Sequence, residues 1–130
     1  MAIQIKSVER PIPRTNGSVK KFYASPVHDR EMSLEGLTKE IEKISTVNGA
    51  DIRAVLYAMV ETAVAGLEDG RIIRLGDLGS LRITLRSEGK DTEEEVTATA
   101  VKKTKIIFTP GKKLKEMQEN AKFTKVKAEK

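Results

Sequence analysis

Residues Ile72 to Arg86 read IIRLGDLGSLRITLR, two alternating runs on either side of a turn that holds two glycines. In the second run Leu81, Ile83 and Leu85 fall on one side of a strand and Arg82, Thr84 and Arg86 on the other, because side chains alternate along a strand with a period of two. The spacing predicts a β-hairpin with one greasy face, the other face wanting water or an anion. Gly76-Asp77-Leu78-Gly79-Ser80 gives the backbone places to adopt positive φ cheaply, as a tight reversal requires. A lone hairpin is barely stable, so another part of the chain must cover it.

Upstream of the hairpin the apolar period changes to that of a helix. Ser33 predicts the N-cap of a helix running to about Ser45, with Glu35 near its positive end and Leu34, Leu37, Ile41 and Ile44 along one face. Asn48 predicts the cap of a second helix from about Ala50 to Glu68, with Asp51 three residues on in the manner of a capping box and Gly70 as its stop. This helix carries Ile52, Val55, Leu56, Met59, Val60, Ala63, Val64 and Leu67 in an unbroken stripe. A first helix of three turns cannot cover all of it. Each aliphatic side chain gains about 1.5–3 kcal/mol on full burial, so covering by a second copy of the chain is economical, and the expectation is a homodimer. A core helix under the sheet accounts for part of the stripe in either case.

Downstream, Ser87 to Ala100 is a polar excursion, SEGKDTEEEVTATA, read as a loop or a protruding arm. Lys90 stands there against Glu88, Asp91, Glu93, Glu94 and Glu95, a net −4 in a basic protein. A third strand is expected from Val101 to Thr109, with Ile106 and Phe108 on one face and Lys103, Lys105 and Ile107 on the other. Pro110-Gly111 closes it. Lys112 to Asn120 predicts a short helix with Leu114 and Met117 inward, and the residues beyond Phe123 a frayed basic tail.

At the start of the chain, Ile3 and Ile5 sit in an alternating set, followed by Pro11-Ile12-Pro13, Asn16-Gly17 and a second run from Val19 to Val27 in which Phe22, Ala24 and Pro26 alternate. Two short strands around a turn are expected, because Asn-Gly is a strong hairpin signal. Residues 2–31 carry six cations, Lys6, Arg10, Arg14, Lys20, Lys21 and Arg30, against three acids, Glu9, Asp29 and Glu31. An edge pair packed on the main domain is favoured over a dedicated binding arm.

The whole chain has 130 residues, enough for one domain with an appended piece but not for two full cores. It has no cysteine, hence no disulfide, thiolate metal site or cysteine nucleophile. It also lacks a signal peptide's apolar run and any stretch of about 18 consecutive apolar residues, and a soluble cytoplasmic protein with no membrane partner is expected. The single histidine, His28, lies beside Asp29 without a serine in a nucleophile motif. No metal or Walker motif occurs, and Glu93-Glu94-Glu95 reads as a solvated charge run rather than a cation site. Neither enzymatic chemistry nor a cofactor is expected.

The 24 Lys and Arg against 19 Asp and Glu leave a formal charge of +5, which favours a polyanionic partner. Arg82 and Arg86 share one strand face, Lys103 and Lys105 share another, and Lys112, Lys113 and Lys115 crowd the turn that follows. In one antiparallel sheet these cations would converge on a surface suited to successive phosphates. The plainer reading is that they keep a solvent face soluble.

The order of elements resembles the HU and IHF family of bacterial histone-like DNA-binding proteins. Leu75–Leu81, LGDLGSL, is similar to the family's L-x-G-F-G-T-F turn, with Asp77 in place of its first glycine. Phe108–Lys115, FTPGKKLK, is similar to the closing F-x-x-G-K-x-L-K, and Glu68-Asp69-Gly70 to the step that ends the second helix. The resemblance spans about residues 33–120. It implies an α+β fold: two helices, a three-stranded antiparallel sheet with a β-ribbon arm, a short last helix and an intertwined dimer. Residues 1–32 would be an N-terminal β extension and 121–130 a basic tail.

By the same resemblance, Arg82, Arg86, Lys103, Lys105, Lys112, Lys113 and Lys115 would face the phosphates of double-stranded DNA. The function implied is architectural: bending or compacting nucleoid DNA with little sequence preference. The family's arm tip carries Arg-Asn-Pro, whereas Lys90-Asp91-Thr92-Glu93 here is acidic and has no proline. This implies weaker kinking and leaves the arm open to a basic protein partner. The alternative is a scaffold or interaction module that keeps the fold and has little DNA affinity. RNA binding is a third, remoter option.

Overall fold

The computed structural model describes residues 2–13 and 19–126. The Asn16-Gly17 turn, Arg14 and the last four residues of the basic tail lie outside them. The chain divides into two units, Met1–Ser33 together with Gln118–Lys130, and Leu34–Met117.

In the larger unit, α1 (Leu34–Ile44) and α2 (Gly49–Glu68) form where the sequence marks them. Asn48 caps α2: its side-chain oxygen accepts the Asp51 amide at 3.0 Å, and its Nδ2 donates to the Asp51 carboxylate at 3.1 Å. This satisfies one of the orphan amides of the first turn. At the other end Gly70 takes φ +76° and donates to the Leu67 carbonyl, while Arg71 donates to Gly66. That paired arrangement is the Schellman stop, which needs a left-handed residue at the position Gly70 fills.

α2 packs on β3 (Ile73–Arg74) and on the start of β4 (Gly79–Ser87). Gly66 is the point of closest approach, because a Cβ there would run into the Ile73 side chain. β4 lies between β3 and β5 (Val101–Pro110) in an antiparallel sheet. The expected three-stranded sheet is therefore present, although its first strand has only two residues. A single 3₁₀ turn, Gly76–Leu78, joins β3 to β4. The short helix α3 (Lys112–Glu119) follows β5. Its Leu114 is half-buried, but Met117, expected to point inward, is exposed.

The unit buries little. Ile52 and Ala100 are its buried hydrophobic side chains among the described residues, whereas Val55, Val60 and Val64 along α2 remain 65%, 55% and 50% exposed. The stripe read from the sequence is thus only partly covered by α1, β3 and β4.

In the smaller unit, β1 (Ile3–Pro11) pairs antiparallel with β2 (Lys20–Pro26) from Ile5 opposite Pro26 to Pro11 opposite Lys20. The two expected strands are there. Residues Phe123–Lys125, expected as part of a frayed tail, instead form β6, which runs parallel to the other edge of β1 with Ile3 opposite Phe123. The Ile3 amide donates to Lys122 and the Val126 amide to Ile5, anchoring both ends of that strand.

Candidate nucleic-acid interface

The two glycine motifs meet in space and fix the register of β4 on β5. Gly79 has φ +147°, and a Cβ there would collide with the Thr109 carbonyl and the Phe108 ring. A Cβ on Gly111 would likewise collide with the Asp77 carbonyl, and the Gly111 amide donates to the Leu78 carbonyl at 2.9 Å. With that end fixed, the ladder places Leu81 opposite Phe108, Ile83 opposite Ile106 and Leu85 opposite Thr104 on one face. The other face holds Arg82 opposite Ile107, Thr84 opposite Lys105 and Arg86 opposite Lys103.

Four of the seven candidate residues, Arg82, Arg86, Lys103 and Lys105, are thereby brought onto one face. All four are exposed, and none pairs with a carboxylate among the described residues. Arg86 and Lys103 stand directly across from one another, a placement in which like charges repel and destabilise a sheet. Lys112, Lys113 and Lys115 lie on α3, past the end of β5 and exposed, rather than on this face.

The ladder slips between Arg86 and Ser87, so that Ser87 faces Val101 and Lys102 is the extra residue of a bulge. Lys102 uses that freedom: its Nζ lies 2.7 Å from Glu88 Oε1, while Lys90 Nζ lies 3.2 Å from Glu88 Oε2. These two ammonium groups, Lys102 foremost, hold the Glu88 carboxyl below the usual glutamate range. The Glu88 amide also donates to the Ala100 carbonyl at 2.8 Å, and Ala100 is 1% exposed. The segment expected as an arm is closed at its base in this way and continues as two 3₁₀ turns, Glu93–Glu95 and Ala98–Ala100, joined by short extended links. Strict alternation had no place for Lys102, and the sequence reading missed it.

The acids further out, Asp91, Glu93, Glu94 and Glu95, are exposed and make no ion pair among the described residues. No group of three His, Asp or Glu there could hold a metal ion, and no described helix is long and apolar enough to cross a membrane. His28 is exposed in the segment after β2.

Comparison with known proteins gives two findings. The model of the HU-HIG family, an HU domain fused to a wHTH, Ig or glycine-rich motif, matches residues 1–125. A solved structure from Bacteroides vulgatus, described only provisionally as a bacterial DNA-binding protein, superposes with a TM-score of 0.66 at 17% sequence identity. The match covers 96% of this chain and 48% of the other, so this chain spans about half the length of that neighbour. A comparison with curated proteins gave no match.

Proposed function

The chain belongs to the HU-HIG family, and from that premise we propose that it is an architectural DNA-binding protein that grips duplex through phosphates rather than base edges. The observation that carries this reading is the cation face formed by Arg82, Arg86, Lys103 and Lys105, which pair with no carboxylate among the described residues. Four guanidinium and ammonium groups that pair with no carboxylate among the described residues leave their charge available to phosphates, whose binding releases condensed counterions. Lys112, Lys113 and Lys115 add cations beyond the end of β5.

The uncovered valines of α2 call for a second chain, and an intertwined homodimer would present two such faces. A dimer that holds its two cation faces on one duplex would bend or compact it. The acidic segment, without proline and closed at its base by Glu88 and Lys102, would contribute little to kinking. The protein would act without catalysis and without a cofactor, in the cytoplasm on the nucleoid.

The test is duplex binding by anisotropy across a salt series, beside a measurement of mass in solution. Unrelated sequences should bind alike. The four phosphate contacts of this face, at about 0.9 each, contribute about 3.6 per chain to the magnitude of the slope of log K against log salt, and a flat salt response contradicts the reading. A second reading, a scaffold for a basic protein partner, is favoured by Asp91 and Glu93–Glu95, which make no ion pair among the described residues. It gains if E93Q/E94Q/E95Q creates duplex binding that the parent lacks.

A further inference from the structure

The smaller unit repeats, in a different sheet, the arrangement on which the functional reading rests. In β1 and β2 the register puts Lys6 opposite Ser25, Val8 opposite Tyr23 and Arg10 opposite Lys21. These residues share one face, because directly opposed side chains in an antiparallel pair point to the same side. The intervening pairs, Ile5 with Pro26, Ser7 with Ala24 and Glu9 with Phe22, share the other. On β6, Phe123 pairs with Ile3 and Lys125 with Ile5 on that other side, and Thr124 pairs with Gln4 on the side of Lys6, Arg10 and Lys21.

The acid of this sheet, Glu9, lies on the other face, which it shares with Lys20 opposite Pro11 and Lys125 opposite Ile5, so the face of Lys6, Arg10 and Lys21 carries cations and no acid. Lys6, Arg10 and Lys21 share their face with Gln4, Val8, Tyr23, Ser25 and Thr124, and none of the three cations pairs with a carboxylate among the described residues. All three are exposed, and Tyr23 among them is exposed too. Arg10 and Lys21 stand directly across the ladder with Cα atoms about 4.5–5.5 Å apart, in the same like-charge opposition as Arg86 and Lys103. Such a pair costs sheet stability, a cost that an anion seated between the two would reverse. Lys6 lies on the same strand face about 13 Å from Arg10 at the usual rise per residue. The surface is thus an extended row rather than a point site, and it suits a polyanion better than a small anion.

We propose that the face of the N-terminal sheet carrying Lys6, Arg10, Lys21 and Tyr23 is a second nucleic-acid-binding surface, which engages backbone phosphates independently of Arg82, Arg86, Lys103 and Lys105. It goes beyond the reading above, which assigns no role to residues 1–32, and either can fail without the other.

The experiment uses the full chain and a labelled duplex of arbitrary sequence, in four forms: the parent, K6Q/R10Q/K21Q, R82Q/R86Q/K103Q/K105Q, and the combination of both sets. Circular dichroism confirms that each form is folded. Loss of up to three phosphate contacts predicts that the N-terminal triple variant reduces the magnitude of the salt slope by about 2 to 3 per chain. Its affinity at low salt should fall at least tenfold, both alone and in the other variant's background. K6R/K21R should bind as the parent does, since charge and not lysine itself is required.

A triple variant with the parent's affinity and slope overturns the proposal and leaves the β4–β5 reading standing. Loss confined to the triple variant supports the proposal and removes the β4–β5 reading. If the parent binds no duplex, or if the triple substitution abolishes binding only to phosphatidylserine vesicles, the proposal is wrong.

Discussion

Arg86 and Lys103 face one another directly across the β4–β5 ladder, two cations where a sheet would ordinarily place a cross-strand pair of opposite sign. Neither pairs with a carboxylate among the described residues, whereas Lys102, next along β5, is bonded to Glu88. Adjacent lysines thus serve different ends: Lys102 ties down the base of the acidic segment, and Lys103 keeps its charge free.

That opposition predicts effects of opposite sign on stability and on binding. R86Q removes repulsion within the sheet, so its thermal midpoint should equal or exceed the parent's, by the equivalent of about 0.2–1 kcal/mol. Its duplex affinity should fall in the same preparation. A variant that loses stability and affinity together would point to a structural role for Arg86.

The closure between the two glycine motifs predicts a hierarchy among glycine substitutions. Gly79→Ala places a Cβ against Thr109 and Phe108 at a φ of +147° and should cost about 1–3 kcal/mol in urea unfolding. Gly89→Ala, at a position with open space and ordinary φ, should change stability by less than about 0.5 kcal/mol. Equal losses at the two positions would contradict the packing described.

Removing the cap of α2 should be felt throughout the helix. Asn48→Ala deletes both bonds to Asp51 and should destabilise by about 1 kcal/mol, whereas N48D, which keeps an acceptor for the Asp51 amide, should recover part of the loss. Chemical unfolding of the three forms measures the difference.

Glu88 gives a pH-dependent handle on the acidic segment. Its folded pKa is depressed by Lys102 and Lys90, so the contribution of the bridge to stability is complete above the ordinary glutamate value. It is lost as pH falls through the lower folded value. Carboxyl NMR titration should find the Glu88 midpoint below about 4.3, the ordinary value, and K102M should move it upward. An unchanged midpoint in K102M would show that the bridge does not form in solution.

What the sequence disclosed and what it hid divide along a physical line. Asn48, Asp51 and Gly70 were legible because a helix end is decided within four or five residues. The sharing of one face by Arg82, Arg86, Lys103 and Lys105 was legible because strand alternation is strict wherever register holds. Register failed at Lys102, and a one-residue bulge leaves no local mark in TAVKKTK. Phe123–Lys125 was illegible for another reason: three residues pairing in parallel with Ile3–Ile5 depend on a partner about 120 positions away, and no local pattern carries that. Ser87–Ala100 is polar and acidic in the sequence, but neither its two 3₁₀ turns nor the closing bond from Glu88 to Ala100 is announced by a local pattern.

The central claim is that nucleic-acid phosphates occupy the Arg82–Lys105 face, and lysine footprinting on the complex with duplex tests it most directly. Reductive methylation of the full chain, read by mass spectrometry with and without duplex, should show Lys103 and Lys105 protected while Lys39 and Lys43 on α1 react equally in both states. Lys103 and Lys105 reacting at the same rate in the presence of saturating duplex would contradict the account.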